Sequence, residues 1–84
     1  MPFSFQILNP TLHAIAGENF ELRMQLKGQD LPSEAFVIWK EEKIPMENIK
    51  GVFRAILPIG SQNQMFQFEA GTYFSEPQTI DVIM

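Results

Sequence analysis

The chain has no cysteine. Neither a disulfide nor a thiolate metal site can supplement its core, so its stability must come from buried apolar area. Histidine occurs once, at His13. A catalytic imidazole needs an orienting partner and a nucleophile or substrate pocket, and no serine here stands in a Gly-x-Ser-x-Gly setting. His13 is therefore expected to be a loop or edge residue, and no catalytic residue is assigned. Basic residues are few: six Lys and Arg against ten Asp and Glu, for a formal net charge of −4. They are scattered, and without a basic stripe there is no basis for nucleic-acid binding through phosphates or for attraction to an anionic membrane surface. No apolar run approaches the roughly 20 residues of a membrane span, so this segment is not expected to insert directly into a membrane.

Other signals are missing as well. Met1-Pro2 leads at once into strand-like sequence, with no basic stretch and apolar core of a signal peptide. That alone favours the cytoplasm. Against it, Ile80-Asp81-Val82-Ile83-Met84 stops in mid-strand on apolar residues, which favours a segment of a longer, exported chain. Gly17, Gly28, Gly51, Gly60 and Gly71 match no phosphate-loop spacing, and no cofactor is expected. Asn9-Pro10-Thr11 is no glycosylation acceptor, because Pro holds the middle position.

What is present is apolar and aromatic: eight Phe, five Met, one Trp and one Tyr in 84 residues, enough for a single small domain. Gly17–Gly28 organises the rest. Phe20, Leu22, Met24 and Leu26 fall on one side, and Glu21, Arg23, Gln25 and Lys27 on the other. Successive side chains of a strand point to opposite faces, so this stretch predicts a half-buried strand that needs other strands over its oily face. They are supplied along the chain. Phe3, Phe5 and Ile7 alternate in a first strand, broken by Asn9-Pro10. Leu12–Ala16 is a second part of it or an edge segment. Ala35–Lys40 is apolar on both faces, and Trp39, with the most area to hide, sets Ala35, Val37 and Trp39 inward. Glu41-Glu42-Lys43 reads as a charged turn, and Ile44-Pro45-Met46 as a short edge piece. Gly51–Leu57, Gln64–Ala70 and the segment around Ile80 and Val82 complete about seven short antiparallel strands. No convincing helix is present. The pattern predicts an all-β, immunoglobulin-like β-sandwich, with a small barrel as the alternative. The expected core is Phe5, Phe20, Leu22, Met24, Leu26, Val37, Trp39, Phe53, Leu57, Phe66, Phe68, Ile80 and Val82.

The runs Gly17-Glu18-x-Phe20-x-Leu22, Leu31-Pro32-x-x-Ala35-x-Val37 and Phe66-x-Phe68-x-Ala70-Gly71-x-Tyr73-x-Ser75-x-Pro77 resemble an immunoglobulin-like or fibronectin type III-like domain. The aromatic strand followed by a Ser-x-Pro step into an alternating last strand is the closest part. Nearly the whole chain is covered, and it is similar to Ig-like modules of large bacterial cell-envelope proteins. The resemblance implies a spacer or binding module outside the cytoplasm, in the periplasm or at the cell surface, with no active site. The chain departs from the antibody pattern in lacking the bridging cysteines. Phe66 and Phe68 stand where Tyr is usual, which removes a tyrosine-corner hydroxyl; Trp39 sits where a core Trp on the third strand is expected.

Of the polar clusters, Glu41 and Glu42 with nearby Glu47 match no calcium loop and are flanked by Lys40 and Lys43, so a solvated turn is expected and no metal. Asp30 and Asp81 are isolated in sequence. With Val37 and Trp39 inward, Phe36 and Ile38 face outward, and with Met65 and Tyr73 they form the candidate interface; exposed apolar patches of this kind mark protein contacts. The expected function is a non-catalytic structural or protein-interaction module of a larger extracytoplasmic bacterial protein, its partner a protein or the neighbouring domains of the same chain. The alternative is a carbohydrate-binding β-sandwich module, in which the aromatic group would stack on a glycan.

Overall fold

The computed structural model describes residues 2–84. Its described residues form strands and turns without a helix. In chain order the strands are β1 (Phe3–Ile7), β2 (His13–Ile15), β3 (Asn19–Gly28), β4 (Phe36–Trp39), β5 (Glu42–Pro45), β6 (Glu47–Ile49), β7 (Val52–Pro58), β8 (Gln64–Ala70), β9 (Tyr73–Phe74) and β10 (Gln78–Ile83). They make two sheets. One has the order β1-β3-β7-β6; the other has the order β2-β10-β8-β4-β5, with β9 also paired to β8.

The strand count is ten rather than the expected seven or so. The extra pieces arise at prolines, which cannot donate to a ladder. Pro10 follows β1, and the chain then crosses from the first sheet to the second as β2. Pro45 ends β5, and the chain crosses back as β6. Pro77 separates β9 from β10. The expectation of purely antiparallel strands also needs correction. Once β2 has changed sheets it runs alongside the last strand in the same direction, so β2 and β10 are parallel.

The long strand β3 is the spine of its sheet. It pairs antiparallel with β1 from Phe3↔Gly28 to Ile7↔Met24, and with β7 from Asn19↔Pro58 to Gln25↔Val52. Its inner residues Leu22, Met24 and Leu26 are buried, as are Phe53, Ala55 and Leu57 of β7 opposite the second sheet's Val37, Trp39, Phe66, Phe68, Ala70 and Ile80. Burial of such a side chain contributes about 1.5–3 kcal/mol. The alternation therefore fixes which way every strand faces: a slip by one residue would turn each set outward. Ala35, Val37 and Trp39 do point inward.

Three expected core residues, Phe5, Phe20 and Val82, are only partly buried against the cluster. Seven others are buried that the expected core did not include: Phe3, Ala14, Ala35, Met46, Ala55, Ile59 and Ala70. Met46 belongs to the expected edge piece Ile44-Pro45-Met46, and Ile59 lies beyond the expected strand Gly51–Leu57. Backbone bonds hold them in: Met46 N–H donates to Ala35 C=O at 2.9 Å, and Ile59 N–H donates to Glu18 C=O at 3.0 Å. The Trp39 indole N–H is buried without a partner. Such a donor loses its hydration for no return, a cost that the packing of the ring must offset.

Candidate functional site

The structure does not gather the four expected interface residues into one patch. Phe36 and Ile38 lie half-buried on the outer face of the second sheet, opposite Glu69 and Gln67 of β8. Met65 is 58% exposed. Ile38 and Met65 line one shallow depression of about 230 Å³ together with Lys40, Gln67 and Pro77. Phe36 is not open apolar surface: the Lys43 ammonium sits over its ring, 4.5 Å from the centroid, and also lies 3.3 Å from the Glu69 carboxylate. A cation over a ring face is attracted by its quadrupole, and the carboxylate holds the cation there. Tyr73 does not join this group. It pairs with Ala70 at the rim, 39% exposed, and its ring meets Phe3 edge-on at 5.4 Å.

The rim near Tyr73 holds a feature the sequence reading did not anticipate. A groove of about 340 Å³ opens between β1 and the β9–β10 segment, lined by Phe5, Ile7, Phe68, Phe74, Glu76 and Gln78 among others. Its floor is aromatic: Phe5 stacks on Phe68, centroids 6.1 Å apart and planes 8° from parallel. Its far wall is a β-bulge. The β8–β9 pairing Glu69↔Phe74 becomes Phe66↔Gln78 in β10, so the last strand carries one extra residue around Ser75–Pro77. Ser75 bridges the fault. Its N–H donates to Phe68 C=O at 3.0 Å, its Oγ accepts from Phe68 N–H at 2.9 Å, and its C=O accepts from the Gln67 side chain at 2.7 Å. The Ser-x-Pro step was the visible signal for this bulge; the groove depends on which strand stands across from it, which no local pattern encodes.

The remaining polar residues are ordered by pairing. His13 lies on the edge strand β2, exposed, with Nε2 3.8 Å from the exposed Asp81 carboxylate. Glu47 belongs to the other sheet from Glu42, and Arg54 takes it: the guanidinium donates to Glu21 at 2.9 Å and to Glu47 at 3.0 Å. Those bonds, Glu21 first and Glu47 second, raise the Arg54 pKa above its already high ordinary value, so it remains a cation. Arg23 and Arg54 stand directly opposite each other in the ladder, and Glu21 lies between them, 3.8 Å from the Arg23 guanidinium. This arrangement relieves a like-charge pair on the sheet surface. Among the described residues no group of three or more His, Asp or Glu is placed to hold a metal ion, and no helix is long and apolar enough to cross a membrane.

No family model matches the chain, and no curated protein matches it in sequence. A solved structure does match: the fibronectin(III)-like modules of CbhA from Clostridium thermocellum, with a TM-score of 0.65 and 11% identity. The match covers 98% of this chain and 46% of that one, so the chain spans about half the length of the structure it resembles. At such identity the likeness speaks to fold. It agrees with what the strand order and the inward Trp39 of β4 already describe: the chain is an all-β sandwich of the fibronectin type III-like and immunoglobulin-like kind.

Proposed function

We propose that the chain is a non-catalytic module of a larger bacterial protein, working outside the cytoplasm, where it spaces neighbouring units and offers surface to protein partners. The observation that carries this reading is the position of the two chain ends. Gln29 N–H donates to Pro2 C=O at 3.1 Å, which fixes the amino-terminal end beside the end of β3. Ala16 N–H donates to Ile83 C=O at 2.9 Å, which fixes the carboxy-terminal end beside the start of β3. The ten residues of β3 lie between. At ~3.3 Å per residue they put the ends roughly 30 Å apart, at opposite poles of a body 40 Å long. A unit entered at one pole and left at the other can be strung head to tail without doubling back. The likeness to modules of a bacterial protein supports the modular setting, and the resemblance to cell-envelope Ig-like modules supports the extracytoplasmic one.

The test is a tandem of two copies joined by a short linker, measured by small-angle X-ray scattering. The expected maximum dimension approaches twice the 40 Å of one copy. A pair folded back on itself, no longer than a single copy, overturns the spacer reading.

A further inference from the structure

We propose that the open edge of β1, with the groove beside it, is a site for strand addition, and that its occupant is an extended peptide segment of alternating apolar and polar residues carrying a Lys or Arg. The proposal rests on the protein-interaction reading above and names the surface that would do it.

The hydrogen-bond phase of β1 is fixed at both ends. Leu8 N–H donates to Arg23 C=O at 2.9 Å, and Pro2 C=O accepts from Gln29 N–H at 3.1 Å. Bonded pairs alternate along an antiparallel ladder, so Ser4 and Gln6 between them face β3, and the N–H and C=O groups of Phe3, Phe5 and Ile7 point the other way. Among the described residues β1 has one sheet neighbour, β3, so those groups meet no strand. Donors and acceptors repeating at this spacing are matched by another extended backbone.

The outer edges β5, β6 and β2 are short or guarded, as natural edges usually are. β5 carries Glu42, Lys43 and Pro45. β6 and β2 are three residues each, and β6 carries Glu47. β1 has five residues, Phe-Ser-Phe-Gln-Ile, with neither charge nor proline. It also stands beside a cavity. Alternate side chains of an added strand would point between the sheets, onto Phe5, Ile7 and Phe68, where about 340 Å³ is open.

Charge selects the occupant. Glu76 is the one charged residue of the groove lining, on a chain of net charge −4. A second copy carries the same net charge of −4 and is repelled by it. Its own Phe5 would stay packed on its own Phe68, leaving the groove empty. A basic peptide gains where a second copy loses.

The experiment is selection of random displayed peptides on the immobilised chain, followed by amide hydrogen exchange of the labelled chain with the selected peptides. Enriched peptides are expected to alternate and to carry Lys or Arg. They are expected to slow exchange at Phe3, Phe5 and Ile7 by about tenfold or more, and Glu76→Lys is expected to weaken binding about fivefold. No enrichment, or enrichment without protection of those three amides, overturns the proposal. Protection that grows with chain concentration in the absence of peptide overturns it in favour of a second copy. None of these results bears on the length of the tandem, so failure of this site and failure of the module reading are told apart.

Discussion

Gly28 closes β3 at a φ of +136°, and a Cβ built there would collide with the Pro2 carbonyl oxygen and stand 2.7 Å from Phe3 Cα. Both obstacles are backbone, so relief requires β1 to move. Gly28→Ala is expected to lower stability by ~1–3 kcal/mol, read from the urea midpoint. The opposite situation holds at the β4–β5 turn, where Trp39 pairs with Glu42 across Lys40 (φ 51°) and Glu41 (φ 65°). A two-residue turn with both central residues in the left-handed region is the type I′ form, usually given to Asn-Gly. A side chain there costs about 1–2 kcal/mol, part of which glycine returns through its larger unfolded-state entropy. Glu41→Gly is expected to raise stability by ~0.5–1 kcal/mol, seen as a higher thermal midpoint, while Lys40 stays in place over the Trp39 ring. At this scale the sequence was half legible. Trp39 fixed the register of its strand, because its area leaves one acceptable side. The turn's tightness was not visible, because Lys-Glu is not the residue pair that the conformation prefers. Nor was the partnerless indole N–H, which depends on what the surrounding segments happen not to offer.

Strands were readable wherever one face is wet. Glu21, Arg23, Gln25 and Lys27 mark the solvent side of β3, and Gln67 and Glu69 that of β8, so period two survives in the sequence. What was not readable is the allocation of short segments to sheets. Nothing local says that β1 and β2 lie in different sheets, because each is satisfied only by a partner distant in the chain, Met24–Gly28 for one and Asp81–Ile83 for the other. The open groove follows from that allocation, which is why it escaped sequence reading, whereas the outward facing of Phe36 and Ile38 follows from the period of their own strand. The β9–β10 element is held at its fault by Ser75, through its N–H, its C=O and its hydroxyl. Ser75→Ala removes the acceptor of a part-buried Phe68 N–H and leaves that donor unmatched. The expected cost is ~1–3 kcal/mol, with faster amide exchange at Phe68 than in the unmodified chain. Unchanged exchange at Phe68 would mean that the bulge is held by the Gln67 side chain and the Ser75 N–H without help from the hydroxyl.

The whole molecule has neither disulfide nor metal cluster among its described residues, so its integrity rests on the two facing sheets and the ladders within them. Those ladders lie along the line joining the chain ends. If the ends are pulled apart, β1 and β2 are drawn toward one pole and β10 toward the other. The load is then parallel to the strands. In β1–β3 and in β2–β10, where Asp81 N–H donates to Leu12 C=O and Ala16 N–H to Ile83 C=O at 2.9 Å each, the bonds are sheared together instead of being peeled one after another. Tension must therefore break each row as a set before either end yields, so the sandwich resists stretching along the direction in which a string of such units would be pulled.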